Sequence, residues 1–538
     1  VLEQVFIDEK AEEALRFGLD IKPDQLDVIQ HWISLRQRQC KWPAIAPWPG
    51  LSKEQLLRGI SALSLAAHTD DPLLQLANAH HYNVNAVGRP SRSFADMHAR
   101  RRLTLSKSRG ARLKIGYLSS DLREHAVGFL TPQVYELHDR AKVEVFLYYC
   151  NTLPEDAMQR RIRSAGDHWC DIAGMTDEQA AERIVADGID ILVDLNGYTN
   201  GARTKMLSMR PAPVIVNWLG YPGTMASPYH DYLVADGFII PESHEIYYSE
   251  KVLRLPCYQP NDRQRVIADS RPTRPDAKLP EDAVVFCCFN GVHKITPFTW
   301  RRWMSILRQV PKGVLWLLEG VETTNARLKQ LMADHGIAPE RLVFAPKMTN
   351  ANHLARYPLA DLFLDTSPYG AHTTSSDALW LGVPVLTLVG RSFASRVCGS
   401  LVTAAGLPEL VVRDPGAYVA MAVDLGNHPD KLKALRVKLA AQRETCVLFD
   451  MKLLVARLED LYAQMWSDFE AGTIPRPNLA NLDIYNEIGI ALDDPNIELL
   501  AVGDYQDRYR QKLIEFDNFS PLPPDARLWP PSQVRKYR

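Results

Sequence analysis

Short apolar runs alternate with amphipathic helical stretches from residue 114 to about residue 258, pause, and then alternate again. KIGYLSS, VEVFLYYC, IDILVDLNG, PVIVNWLG and DYLVAD make the first series. AVVFCCFN, GVLWLLEG, RLVFAP, DLFLDT, PVLTLVG and ELVVRD make the second. Apolar strands separated by helices are the pattern of a parallel sheet covered on both faces. The pause, a polar segment at 259–281 rich in Pro, Asp and Arg, separates two doubly wound units better than it interrupts one oversized sheet. Two such Rossmann-like units in tandem predict strand carboxyl ends facing each other across a cleft, where ligands of these folds bind.

The flanks have a different character. Residues 1–90 carry apolar side chains at i, i+3 and i+4 over 9–17, 24–38 and 53–64, punctuated by Pro43, Pro47 and Pro49, which predicts short helices in a repeat or bundle. A 34-residue self-similarity is absent. Residues 91–113 form a basic linker with Arg92, Arg100, Arg101, Arg102, Lys107, Arg109 and Arg112. It reads either as solvated chain or as an electropositive wall beside an anionic ligand. The second α/β unit with its closing helices spans 282–470, the first spans 114–258, and the tail 471–538 has no assignment.

Among the 538 residues, 62 Lys and Arg stand against 64 Asp and Glu, so no global positive field recommends nucleic acid as a partner. Apolar runs such as 143–150 fall far short of the ~20 residues a membrane span needs. The N-terminal sequence is acidic and amphipathic, which does not read as a signal peptide. Eight cysteines without a CxxC pair or metal-ligand spacing read as reduced thiols of a cytoplasmic protein, with no metal expected.

Neither unit carries GxGxxG or GxxxxGK[ST], which disfavours dinucleotide dehydrogenases and P-loop NTPases. The strongest candidate site is residues 365–388, where strand DLFLDT leads through Pro368 and Gly370 to His372, Thr373 and Thr374 at a helix start. Free N–H groups and paired hydroxyls at such a start receive a diphosphate. Asp377, one turn in, can accept from ribose hydroxyls, although a Thr followed by Asp also fits an ordinary capping pattern. Lys294, just past strand VFCCFN, can stabilise a departing phosphate. Asp121 and His125 follow the first strand of the first unit and form a candidate proton-transfer pair, either on one helix face or in a loop. The turns containing Gly220, Pro222 and Gly223, and residues 196–203, sit where backbone approaches a ligand closely. His353, in the segment 352–356 that starts a helix after strand RLVFAP, offers a ring to stack on a base, although a lone surface histidine is the commoner reading.

Taken together, GYPGT, NGYTxGAR, FN-x-x-x-K and GAHTT-x-x-D-x-LW-x-G-x-P-x-x-T resemble the protein O-linked N-acetylglucosamine transferases. The resemblance runs from about residue 30 to about residue 468, and the short interdomain linker is similar to that of compact bacterial members. It implies a glycosyltransferase-B fold of two Rossmann-like domains preceded by a tetratricopeptide-like region. The implied activity is an inverting, metal-independent transfer of N-acetylglucosamine from UDP-N-acetylglucosamine to Ser or Thr of proteins or peptides. On that resemblance Lys294 steadies the β-phosphate and Thr373 and Thr374, beside His372, hold the diphosphate. Asp377 binds ribose, His353 stacks on uracil, and Arg356 and the Met348 backbone contact the base. His125 or Asp121 takes the acceptor's proton, and His68 falls near a further histidine of the helical region. Gly291, Asn350 and His293 depart from the family's glutamine, lysine and tyrosine. Gly291 and Asn350 leave GDP-fucose as an alternative donor, and a degenerate transferase serving as a scaffold through its helical segment is an alternative role.

Overall fold

The computed structural model of the protein describes residues 8–104 and 112–537. The chain divides into two units, each built on one parallel sheet. Pro72–Arg263, Val447–Gly489 and the described residues from Gln506 onward form the unit of the first sheet. The described residues up to Asp71, Gln264–Cys446 and Ile490–Tyr505 form the unit of the second.

The first sheet contains β1 (Leu113–Ser119), β2 (Val143–Tyr149), β3 (His168–Asp171), β4 (Ile191–Asp194), β5 (Val214–Asn217), β6 (Tyr232–Asp236) and β7 (Lys251–Leu255). Their order is β3-β2-β1-β4-β5-β6-β7, and every pairing is parallel. The second sheet contains β8 (Val284–Cys288), β9 (Gly313–Leu318), β10 (Leu342–Ala345), β11 (Leu362–Leu364), β12 (Val385–Leu388) and β13 (Val411–Val412), in the order β10-β9-β8-β11-β12-β13. In each sheet the strand order reverses beside the first strand. The crevice outside the carboxyl ends of β1 and β4, and of β8 and β11, is the topological switch point where such folds take ligands. The α/β class and the two doubly wound, Rossmann-like units expected from sequence are what this topology is.

Burial explains why the strands read so clearly. All four residues of β4, β5 and β12 are buried, which only a sheet covered on both faces allows. The helix Pro297–Gln309 shows how cover is achieved: Trp300, Trp303, Met304, Ile306 and Leu307 are buried on one face, each large side chain contributing roughly 1.5–3 kcal/mol. The edge strands β3 and β7 were not foreseen. His168, Asp171 and Lys251 are exposed on them, so neither presents a continuous apolar run.

Three further differences from the sequence expectation have local causes. The helix expected over 53–64 is two helices, Lys53–Gly59 and Ala62–His68, because Ile60 is extended and the Ser61 hydroxyl caps the second by accepting from Ser64 N–H. The expected basic linker contains the helix Ala95–Thr104. There Arg101 pairs with Asp190 and lies 5.4 Å over Trp466, while Arg92 pairs with Glu182, so these two cations are neutralised and form no electropositive wall. Lys107 and Arg109 lie outside the described residues. The unassigned tail holds the helices Leu482–Leu492, Tyr505–Phe519 and Pro531–Tyr537, with Tyr485, Leu513, Leu528 and Trp529 buried. Within the second unit the segment Ile490–Tyr505 is strapped down by Arg302, which grips Glu498 at 2.7 and 2.9 Å, and by Arg391, which donates to the Leu499 and Val502 carbonyls.

Candidate functional site

The second sheet's switch point is organised by a buried asparagine. Asn290, two residues beyond β8, donates to Thr366 Oγ1 at 2.7 Å and to Asp365 Oδ1 at 3.3 Å beyond β11, and accepts from Thr374 Oγ1 at 2.5 Å. Asp365 receives the backbone N–H groups of Thr366 and Ala371 and the Thr387 hydroxyl, which fixes the turn leading to Thr373. Burial pushes the Asp365 carboxyl up from its usual range despite those bonds. The helix Thr373–Trp380 starts after His372 with no side-chain cap. The His372 carbonyl accepts from the Ser375 and Ser376 N–H groups, whereas those of Thr373 and Thr374 make no hydrogen bond among the described residues, and the helix dipole adds positive potential there. Gly382, at φ +80°, ends the helix one residue past its cap. The ordinary N-cap alternative, open from sequence, is therefore excluded.

Lys294 belongs to the same loop cluster. Its Nζ donates to the Gly370 carbonyl at 3.0 Å and lies 3.7 Å from the centre of the Tyr369 ring. Desolvation lowers its pKa to about 8, while Asp365 pulls the other way. His372 is placed by its Nε2, 3.2 Å from the Ala394 carbonyl, so that this nitrogen carries the proton. Burial and the Lys294 charge lower its pKa to about 3, and the ring is neutral. Lys294, His372 and Thr374 thus converge on one turn, and Thr373, beside Thr374, starts the same helix.

A second group forms an aromatic platform. His353, in the helix Asn350–Arg356, stands edge-on to Phe289 at 5.1 Å and to Tyr357 at 5.2 Å. Arg356 donates to the Pro346 carbonyl and lies 5.1 Å over Phe289. Desolvation, reinforced by Arg356, takes the His353 pKa down to about 3, so its ring is an uncharged aromatic surface. Met348 is 53% exposed on the segment leading into that helix. Asp377, buried inside the helix Thr373–Trp380, forms a 2.6 Å ion pair with Arg265.

In the first unit, Asp121 and His125 resolve as a loop cluster. His125 caps the helix Ala126–Leu130, its Nδ1 accepting from Val127 N–H at 3.4 Å, and the same nitrogen lies 3.6 Å from Asp121 Oδ2. Desolvation lowers the His125 pKa, with Asp121 opposing it. Asn196, after β4, accepts from Ser120 N–H and donates to Ser120 Oγ and Thr199 Oγ1, tying the two switch-point loops as Asn290 does in the other unit. A Cβ at Gly220 would lie 1.9 Å from the Leu195 carbonyl oxygen, so only glycine fits there. Pro222 and Gly223 are buried in the following turn, and Asn217 donates to the Gly223 carbonyl at 2.9 Å.

Lys294, Thr373, Thr374, His372, Asp377, His353, Arg356, Met348 and His68 therefore belong to the second sheet's unit, and Asp121, His125, Gly220, Pro222 and Gly223 to the first. His68 does not join the Lys294 cluster: its Nε2 is 2.9 Å from Asp493 Oδ1 in the C-terminal strap. Sequence reasoning missed Asn290, Asp365, Tyr369 and Arg265 as site-building residues. The first two lie within two residues of the ends of β8 and β11, which is a usable signal, whereas Arg265 has none. Among the described residues no three His, Cys, Asp or Glu side chains gather as a metal site.

The sequence model of glycosyl transferase family 41 matches residues 96–268 and 261–458. An Arabidopsis thaliana protein named probable UDP-N-acetylglucosamine–peptide N-acetylglucosaminyltransferase SEC is 40% identical over 372 residues, covering 68% of this chain and 38% of its own length. A Caenorhabditis elegans UDP-N-acetylglucosamine–peptide N-acetylglucosaminyltransferase is 30% identical over 489 residues, covering 70% and 42%. The chain thus spans about two fifths of these relatives. Among solved structures, a lysine-to-methionine mutant of the Thermobaculum terrenum O-GlcNAc transferase matches with a TM-score of 0.64 and 30% identity, over 88% of this chain and 96% of that one.

Proposed function

The chain belongs to glycosyl transferase family 41, and we propose that it transfers N-acetylglucosamine from UDP-N-acetylglucosamine to Ser or Thr hydroxyls of proteins or peptides. The observation that carries this reading is the meeting of a desolvated lysine with an uncapped helix start at one turn, Lys294 against Gly370 just before Thr373. A nucleotide diphosphate is the ligand such an arrangement suits. Its pyrophosphate takes the orphan N–H groups and Thr hydroxyls, and Lys294 meets the charge that grows on the β-phosphate as the anomeric bond breaks. Uracil rests on the neutral His353 ring beside Arg356 and the Met348 backbone, and the ribose hydroxyls reach Asp377.

The reaction is a single displacement. An acceptor oxygen bonds to the anomeric carbon with inversion, UDP departs, and the hydroxyl proton passes to a base. His125 and Asp121 are the candidates for that base. The charge on the leaving group is met by an ammonium and backbone dipoles, so the step is assigned without a resident metal. Eight free cysteines, most of them buried, support a reducing, cytoplasmic setting. No helix among the described residues is long and apolar enough to cross a membrane.

The test is mass spectrometry of lysate proteins incubated with the purified chain and isotopically labelled UDP-N-acetylglucosamine. Labelled N-acetylglucosamine on Ser or Thr is expected. Its absence, with label released only as free sugar, contradicts a protein acceptor.

A further inference from the structure

Arg265 lies in the polar segment between the sheets and has no counterpart among the residues that the resemblance supplies. Its side chain is nonetheless almost wholly buried, 5% exposed, with the guanidinium against the helix Thr373–Trp380. Nη1 donates to Asp377 Oδ1 at 2.6 Å, Nη2 reaches Ser376 Oγ at 3.4 Å, and the group lies 5.8 Å over the Trp380 ring. Among the described residues Asp377 Oδ2 makes no hydrogen bond. One oxygen of the carboxylate is therefore occupied and oriented, and the other is left as an acceptor.

We propose that Arg265 is a positioning residue for donor binding, which clamps one oxygen of Asp377 and keeps the carboxylate ionised so that the other oxygen receives the ribose hydroxyls of the nucleotide. This rests on the donor-site reading above. A buried carboxylate deprived of its only cation takes up a proton instead of remaining charged. Asp377 is already close to that point: burial pushes its pKa up to about 6, and Arg265 is what restrains it. The other groups facing it are Tyr357, whose hydroxyl donates to the Thr374 carbonyl at 3.3 Å and stays protonated, and the Ser376 hydroxyl of its own helix. Neither replaces the missing charge. Once protonated, Asp377 loses the negative charge that makes a carboxylate a strong acceptor.

Calorimetric affinities for UDP and for 2′,3′-dideoxy-UDP isolate this effect, because the ratio of the two reads only the ribose hydroxyls. The intact chain should prefer UDP by roughly tenfold or more, as expected for hydrogen bonds to a charged acceptor. In Arg265→Ala the ratio should fall towards one at neutral pH and recover as pH rises through the elevated Asp377 pKa. Lys294 loses its proton over the same alkaline range, but it affects both nucleotides alike and leaves the ratio untouched. If Arg265→Ala does not fold, Arg265→Gln and Arg265→Lys give the same reading: Lys should keep the preference and Gln should lose it. A ratio unchanged from the intact chain in Arg265→Ala or Arg265→Gln at neutral pH overturns the inference. So does an intact chain that binds both nucleotides equally well, since the donor reading then stands without a ribose contact at Asp377. An intact chain that binds neither nucleotide at millimolar concentration overturns the donor reading and this inference together.

Discussion

The ammonium nitrogen of Lys294 rests 3.0 Å from the carbonyl oxygen of Gly370, two residues before the uncapped helix start at His372. A cation held by a backbone oxygen and a tyrosine face is short of negative partners, and a pyrophosphate supplies them. Replacing Lys294 with Ala should therefore lower the transfer rate by about 10²-fold or more, the usual cost of deleting a donor aimed at developing charge. The circular dichroism spectrum should not change. Turnover close to that of the intact chain would remove Lys294 from the mechanism.

The same lysine sets a pH dependence. With its pKa lowered to about 8, the ammonium form dominates at neutral pH and is lost as pH rises through that value. The rate in the intact chain should decline above about pH 8. Lys294→Arg, whose guanidinium stays charged, should move that decline to higher pH even if its overall rate is lower. A rate that climbs steadily past pH 9 in the intact chain would contradict the assignment.

Asn290 is expected to matter for both stability and donor binding. Its side chain joins Thr366, Asp365 and Thr374 across two loops, so Asn290→Ala leaves buried partners unsatisfied at a cost of about 1–3 kcal/mol. Thermal unfolding should show the loss, and UDP should stabilise the variant less than the intact chain. An unchanged melting temperature and an unchanged UDP shift would mean the hub is dispensable.

His125 has two jobs that one substitution can separate. As an N-cap it serves Val127, and Asn caps a helix equally well, so His125→Asn should preserve the fold. If the imidazole takes the acceptor's proton, the rate should drop by about 10²–10⁴-fold while UDP affinity stays the same. Near-normal rates in His125→Asn, with loss in Asp121→Asn, would assign the proton to the carboxylate.

Much of this was legible because buried parallel strands are continuous apolar runs, and because Lys294 and the Thr373-Thr374 pair directly follow such runs. The edge strands β3 and β7 were not, since one side of each meets water and the apolar run breaks up. The tail was illegible for a different reason. Its helices are held by residues far off in sequence, as when Gln506 donates to the Tyr247 hydroxyl at 2.8 Å, or Tyr485 to Asp525 at 3.0 Å. Arg265 finds Asp377 across more than a hundred residues, and no local pattern announces such a pair.

A crystal structure with UDP bound tests the central claim most directly. The pyrophosphate oxygens should lie about 3 Å from Lys294 Nζ and from the N–H groups at Thr373 and Thr374, with the uracil ring over His353. A pyrophosphate found anywhere else on the molecule, with Lys294 still resting on Gly370, would contradict the account.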